Sequence, residues 1–185
     1  MLTQFIDSLR RCPPREQGEK AFRALFDSAV EEYYRDRQPL VARAGEYTRT
    51  CAYLDGRFEV LLLNWAPGSS SPLHDHGAEH CWMVVLEGRL LAENYERIDG
   101  CDVPRRAVVL PRETIAMGIG DLDLRRGALD LHRISAADRD GAISLHVYAK
   151  PLREFMIYDE FAQTCRPGTT RYDAVLPFVE EVIAS

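Results

Sequence analysis

One stretch constrains this chain more than any other: Gly68-Ser-Ser-Ser-Pro-Leu-His74-Asp-His76-Gly-Ala-Glu-His-Cys81-Trp-Met-Val-Val-Leu-Glu-Gly88. Two histidines two residues apart share a face of an extended backbone, because side chains alternate along a strand. Two imidazoles on one face make half of a metal site, and neutral imidazole suits iron, copper, nickel or zinc. Gly68 and Pro72 break the approach, and the apolar run Trp82 to Leu86 reads as a short strand that Gly88 turns.

The surrounding sequence has the texture of short strands. From Tyr47 onward, candidate strands cover Phe58 to Trp65, Trp82 to Leu86, Arg89 to Ile98, Ala107 to Leu110, Ala128 to Ile134 and Ile143 to Ala149. Asp55-Gly56, Pro67-Gly68, Asp99-Gly100 and Asp140-Gly141 punctuate them. Short strands at this spacing read as a β-sandwich or barrel. Upstream, Leu2, Phe5, Ile6 and Leu9 follow the i, i+3, i+4, i+7 pattern of an amphipathic helix, stopped by Pro13-Pro14. A second and stronger helical pattern runs from Arg15 to about Arg37, with Phe22, Leu25, Phe26, Ala29, Val30 and Tyr33 on its apolar side. Both helices are expected to pack outside the strands. The tail from Tyr172 reads as a short helix or strand covering one end, weakened by Pro177.

These patterns divide the chain into a helical part (1–40), a β-rich part (45–160) and a tail (161–185), all in one domain, as 185 residues would allow. A net charge of -6 argues against nucleic acid or an anionic membrane as partner. No run approaches the ~18 apolar residues of a membrane span, and the start lacks a secretory pattern. The five cysteines (Cys12, Cys51, Cys81, Cys101, Cys165) are odd in number and widely spaced. That favours free thiols in a reducing cytoplasm over a disulfide framework.

Strand parity sorts further polar residues. In Ala142 to Tyr148, Ile143, Leu145 and Val147 take one face, while Ser144, His146 and Tyr148 take the other. Such a polar triplet is either a solvated surface or the lining of a polar cavity. Tyr47 and Arg49 share a face, and His132 sits between apolar neighbours where it could point inward. Each of these residues alone has an ordinary reading: a structural histidine, a surface arginine, and in Cys81 a small buried apolar side chain. Glu79 and His80 fall off the two-residue register and read as neighbours of the site, with Glu79 the rival for a fourth ligand.

Taken together, the motifs carry a resemblance. The glycine, His-x-His, Cys81 and glycine spacing resembles the first cupin motif, with Cys81 where many cupins place a glutamate ligand. Tyr47-Thr-Arg49, His74-Asp-His76, Cys81, Leu131-His132-Arg133 and Ser144-Leu-His146-Val-Tyr148, in that order, resemble cysteine dioxygenase. The resemblance implies a cupin fold, mainly β, a small jelly-roll-like barrel with N-terminal helices packed outside. It implies Fe(2+) held by His74, His76 and His132. Arg49, supported by Tyr47, would receive the substrate carboxylate. Tyr148 would place its hydroxyl beside substrate, with His146 and Ser144 behind it, and Cys81 as the partner of a possible thioether to Tyr148. The implied reaction adds both atoms of O2 to the sulfur of L-cysteine, with the thiol supplying the electrons, in a monomer or small homo-oligomer.

The chain departs from the family pattern at Ala149-Lys150-Pro151 and between Glu113 and Ala128, which is unusual for a second cupin motif. Two other readings compete. A 3-mercaptopropionate dioxygenase would share the iron site, but relatives of that preference usually carry glutamine at the position of Arg49. A non-catalytic metal-binding cupin sensor would need neither Arg49 nor the Ser144, His146, Tyr148 face.

Overall fold

A computed structural model describes residues 2–16, 19–77, 79–99, 105–126 and 130–176. Two helices come first, α1 (Thr3–Arg11) and α2 (Glu19–Asp36), joined through a single 3-10 turn at Pro14–Glu16. The strands are β1 (Tyr47–Leu54), β2 (Glu59–Trp65), β3 (Leu73–His74), β4 (His80–Gly88), β5 (Leu90–Arg97) and β6 (Val109–Met117). They continue with β7 (Leu122–Arg126), β8 (Leu131–Ala136), β9 (Ala142–Tyr148), β10 (Phe155–Asp159), β11 (Thr164–Gly168) and β12 (Ala174–Val175). These form two sheets, ordered β12-β1-β2-β9-β4-β7 and β11-β10-β3-β8-β5-β6. Pairing is antiparallel except between β1 and β12. The architecture is mainly β and cupin-like as the sequence suggested, but hydrogen bonding leaves two separate sheets and closes no barrel.

Burial explains the parity of the strands. Val60, Leu62, Val84, Leu86, Leu145 and Val147 point outward and pack against Phe5, Ile6 and Leu9 of α1 and Phe22, Phe26, Ala29 and Tyr33 of α2. The helices thus dry the outer face of the first sheet. The inner residues Leu61, Leu63, Trp65, Cys81, Met83 and Val85 meet Leu90, Ala92, Met117 and Ile134 of the second sheet. With apolar surface buried on both sides, one end of the inner face is free to carry polar groups.

A long-range cap secures the helices. Buried Glu32 of α2 accepts hydrogen bonds from the Gln4 and Phe5 backbone N–H groups at 2.9 and 3.0 Å, two donors that the first turn of α1 cannot satisfy itself. Between the sheets, Gly88 bends the chain at φ +69; a side chain there would strike the Gly141 carbonyl.

Several strands differ from their sequence reading. β6 extends from Val109 to Met117 rather than ending at Leu110, because it is an edge strand with exposed side chains from Leu110 to Ala116 and so lacks any apolar alternation. β7 has charged residues at three of its five positions, which masks its strand character. β10 and β11 are short and partly exposed. Of the tail, Ala174–Val175 is a strand, while 177–185, including Pro177, lies outside the described residues, as do Cys101 and the first residues of the Ala128 to Ile134 segment. No helix among the described residues is long and apolar enough to cross a membrane.

Candidate metal centre and active site

Three imidazoles converge between the sheets. His74 ends β3 and lies directly opposite His132 in the antiparallel β3–β8 pair. His76 lies past the end of β3, so the two-residue register holds although the backbone there has left the strand. The ring centroids stand 4.8 to 5.1 Å apart, and one potential ligand atom from each ring lies within 4.8 Å of the others. Among the described residues these three form the one histidine, cysteine or carboxylate group able to hold a metal ion. Glu79, the rival fourth ligand, instead pairs with Arg15.

Local bonds hold the rings in place. Nδ1 of His74 meets the Pro72 carbonyl at 2.9 Å, which leaves Nε2 free. Asp75, between the two histidines, is buried and its carboxylate accepts from Gly77 N–H (2.9 Å), Met156 N–H (2.9 Å) and the Tyr158 hydroxyl (2.7 Å). The segment that carries His74 and His76 is thereby fastened to β10. Burial, followed by repulsion from neighbouring cations and imidazoles, holds His76 and His132 well below the ordinary histidine pKa; burial also lowers His74. All three are therefore neutral at pH 7, the form that ligates metal.

The cavity beside them is about 40 Å³, room for roughly three waters or a few-atom ligand. Leu63, Ile134, Leu152 and Phe155 supply apolar walls; Tyr47, Arg49, His146 and Tyr148 join the three histidines as its polar lining. Tyr47 stacks on Trp65 with ring centroids 4.8 Å apart. Arg49 is the group out of balance. Its Nε and Nη2 are buried and, among the described residues, have no hydrogen-bond partner, and no carboxylate of those residues lines the cavity to meet it. Buried guanidinium N–H donors left in that state suit an anion.

The polar triplet of β9 faces inward, as one of its two sequence readings required. Trp65 Nε1 donates to Ser144 Oγ at 2.8 Å, and Ser144 Oγ meets His146 Nε2 at 2.8 Å. His146 Nδ1 is 4.0 Å from Cys81 Sγ. Cys81 and Tyr148 are direct cross-strand partners in the β4–β9 pair. Burial lowers His146 to about 3, and burial with the adjacent thiol pushes Tyr148 well above its usual value. The imidazole is thus neutral and the phenol protonated at pH 7. Ser144 and Cys81 stand behind the cavity wall, while the other predicted site residues line it.

Sequence reasoning passed over Glu59, fully buried on β2, which accepts from Leu152 N–H (3.1 Å) and the Tyr172 hydroxyl (2.6 Å) and so fixes the wall after β9. It also passed over Asp75 and Asp123, and Arg125, which in sequence reads with Arg126 as solvated surface, is buried. Trp65 was within reach of parity, since it shares the inner face of β2 with Leu61 and Leu63.

The model of the family described as cysteine dioxygenase type I matches residues 24–161, well over half of the chain. The chain belongs to that family. The matched span runs from within α2 through β10 and contains all nine candidate site residues named from the sequence. The cysteine dioxygenase type 1 of Danio rerio is 27% identical over 123 residues, covering 64% of this chain and 60% of the relative. That of Homo sapiens is 26% identical over 127 residues, covering 65% and 60%. The match therefore spans about three fifths of the relatives' own length. Among solved structures, a Klebsiella pneumoniae protein with a double-stranded β-helix domain aligns with a TM-score of 0.49 at 17% identity, covering 70% of this chain and 94% of that one.

Proposed function

We propose that this chain is a non-haem Fe(II) thiol dioxygenase whose substrate is a small thiol carrying a carboxylate, L-cysteine first among them. The observation that carries the proposal is the unpaired Arg49 guanidinium in the same small cavity as three neutral histidines. His74, His76 and His132 would hold the iron. Three neutral ligands with no carboxylate among them leave the ion its full charge and leave coordination positions open. Bound there, Fe(II) would supply the charge that favours a thiolate and the O2 activation that the polypeptide lacks.

The chain's own groups do the positioning. Arg49 receives the substrate carboxylate through its free N–H donors, and Tyr47, braced on Trp65, limits where that carboxylate can sit. Tyr148, protonated, offers its hydroxyl as a donor beside the reacting sulfur, and the Trp65, Ser144, His146 chain fixes the wall behind it. Leu63, Ile134, Leu152 and Phe155 exclude water. In the net reaction the thiol and O2 combine into the sulfinic acid with both oxygen atoms on sulfur, so no external reductant enters. The adjacency of Cys81 and Tyr148 supports a thioether between them, formed with loss of two hydrogens to an oxidant such as O2; intact mass reads it directly.

One observation favours a second reading. No carboxylate lines the cavity to pair with a substrate ammonium, so 3-mercaptopropionate, which lacks the amine, would also satisfy Arg49. Oxygen uptake by the Fe(II)-reconstituted protein with each thiol at equal concentration separates them. The cysteine reading expects the higher kcat/KM with L-cysteine and a flattened or reversed preference in Arg49→Gln. A preference for 3-mercaptopropionate would replace the substrate, and iron-loaded protein that consumes no oxygen with either thiol would overturn the dioxygenase reading.

A further inference from the structure

One of the two segments that depart from the family pattern, Glu113 to Ala128, places an ion pair beside His132, a candidate metal ligand. Arg125 and Asp123 of β7 lie opposite Cys81 and Met83 of β4, both residues of the core between the sheets, so the pair faces inward. Arg125 Nε donates to Asp123 Oδ2 at 2.7 Å, with the two side chains only 10% and 16% exposed. The same Oδ2 is 3.8 Å from Nδ1 of His132. That nitrogen is buried and has no hydrogen-bond partner among the described residues.

A ligating histidine normally gives its second ring N–H to a carboxylate, carbonyl or water, which fixes the tautomer and the direction of the ligating nitrogen. His74 already does so through Pro72. For His132 the charged acceptor at comparable range among the described residues is Asp123, and closing the gap to about 2.9 Å takes roughly 1 Å of side-chain movement or one bridging water. Neither Asp123 nor Arg125 lines the substrate cavity, so a direct role toward substrate is ruled out by position. We infer that Asp123 is a positioning residue that receives the Nδ1–H of His132 and directs the Nε2 of that ring toward the metal, with Arg125 holding the carboxylate in place. The inference rests on the metal-centre reading above. The plainer alternative is an ion pair that merely closes the rim between the sheets.

The test is anaerobic retention of Fe(II), the metal alone, against a chelator, together with the melting temperature of the metal-free protein. Asp123→Ala combined with Arg125→Met removes the carboxylate without stranding the guanidinium. The expected result is about 10- to 100-fold weaker Fe(II) retention with little change in metal-free melting temperature. Retention within about twofold of the parent, with a lowered melting temperature, would overturn the inference in favour of the rim pair. Should the double variant fail to fold, Asp123→Asn decides: weaker retention than the parent is expected, and parental retention overturns the inference. Parent protein that takes up no Fe(II) would overturn the metal-centre reading itself, and this inference with it.

Discussion

Replacing Arg49 by Met should move stability and substrate binding in opposite directions. The change keeps a long unbranched side chain but removes buried Nε and Nη2 donors that have no partner in the free protein. A buried unsatisfied polar group costs about 1–3 kcal/mol. The backbone bonds that tie Arg49 to Asp173, from Arg49 N–H to the carboxylate (2.9 Å) and from Asp173 N–H to the Arg49 carbonyl (2.8 Å), are untouched. The metal-free variant should therefore gain about 1–3 kcal/mol, or roughly 2–4 °C in melting temperature per kcal/mol for a chain of this size. Losing the one arginine or lysine that lines the cavity among the described residues, the proposed partner of the substrate carboxylate, should cost about 2–5 kcal/mol in binding, roughly a 30- to 5000-fold rise in KM. Thermal melts of the metal-free proteins and steady-state oxygen uptake with L-cysteine at matched iron loading measure both. A variant that melts lower than the parent while keeping its KM would make Arg49 a structural residue and refute the argument.

Three further outcomes follow from the geometry. His74→Ala, His76→Ala and His132→Ala should each fail to retain Fe(II) through desalting, and a variant that keeps both iron and activity would remove its histidine from the ligand set. His146, held near 3 in the fold against 6.5 when unfolded, takes up its proton in the unfolded chain first, so stability is fully present above pH 6.5 and is lost as pH falls toward 3. That loss is on the order of 5 kcal/mol across the window, so the melting temperature should fall from pH 7 to 5 and fall less in His146→Gln; equal slopes would contradict the assignment. Glu32→Ala should cost about 1–2 kcal/mol by leaving the Gln4 and Phe5 N–H groups without their acceptor, and a melting temperature equal to the parent's would count against the cap.

What was legible in the sequence was whatever strand parity and spacing encode. β2 and β9 carry side chains sorted by face, and the inward triplet Ser144, His146, Tyr148 follows once the helices have claimed Leu145 and Val147. His74, His76 and His132 were readable as residues of one resemblance, although β3 is only two residues long and His76 stands outside it. The rest depended on contacts between distant segments. Glu32 capping α1, Asp75 gripping β10, and Glu59 pinning Leu152 and Tyr172 are buried carboxylates whose partners lie 27 to 113 residues away. In a linear reading each is an ordinary surface acid. β7 was illegible for the same reason: Asp123 and Arg125 neutralise each other inside, so a strand that faces the core reads as a charged loop.

The central claim is that the Arg49 and three-histidine cavity delivers both atoms of one O2 to a thiol sulfur. Isotope labelling tests it most directly: Fe(II)-loaded protein turned over with L-cysteine under ¹⁸O2, and the product analysed by mass spectrometry. The account predicts cysteine sulfinate with both sulfur-bound oxygens labelled and no label acquired from H2¹⁸O. Cystine as the product, or a sulfinate carrying oxygen from water, would contradict it.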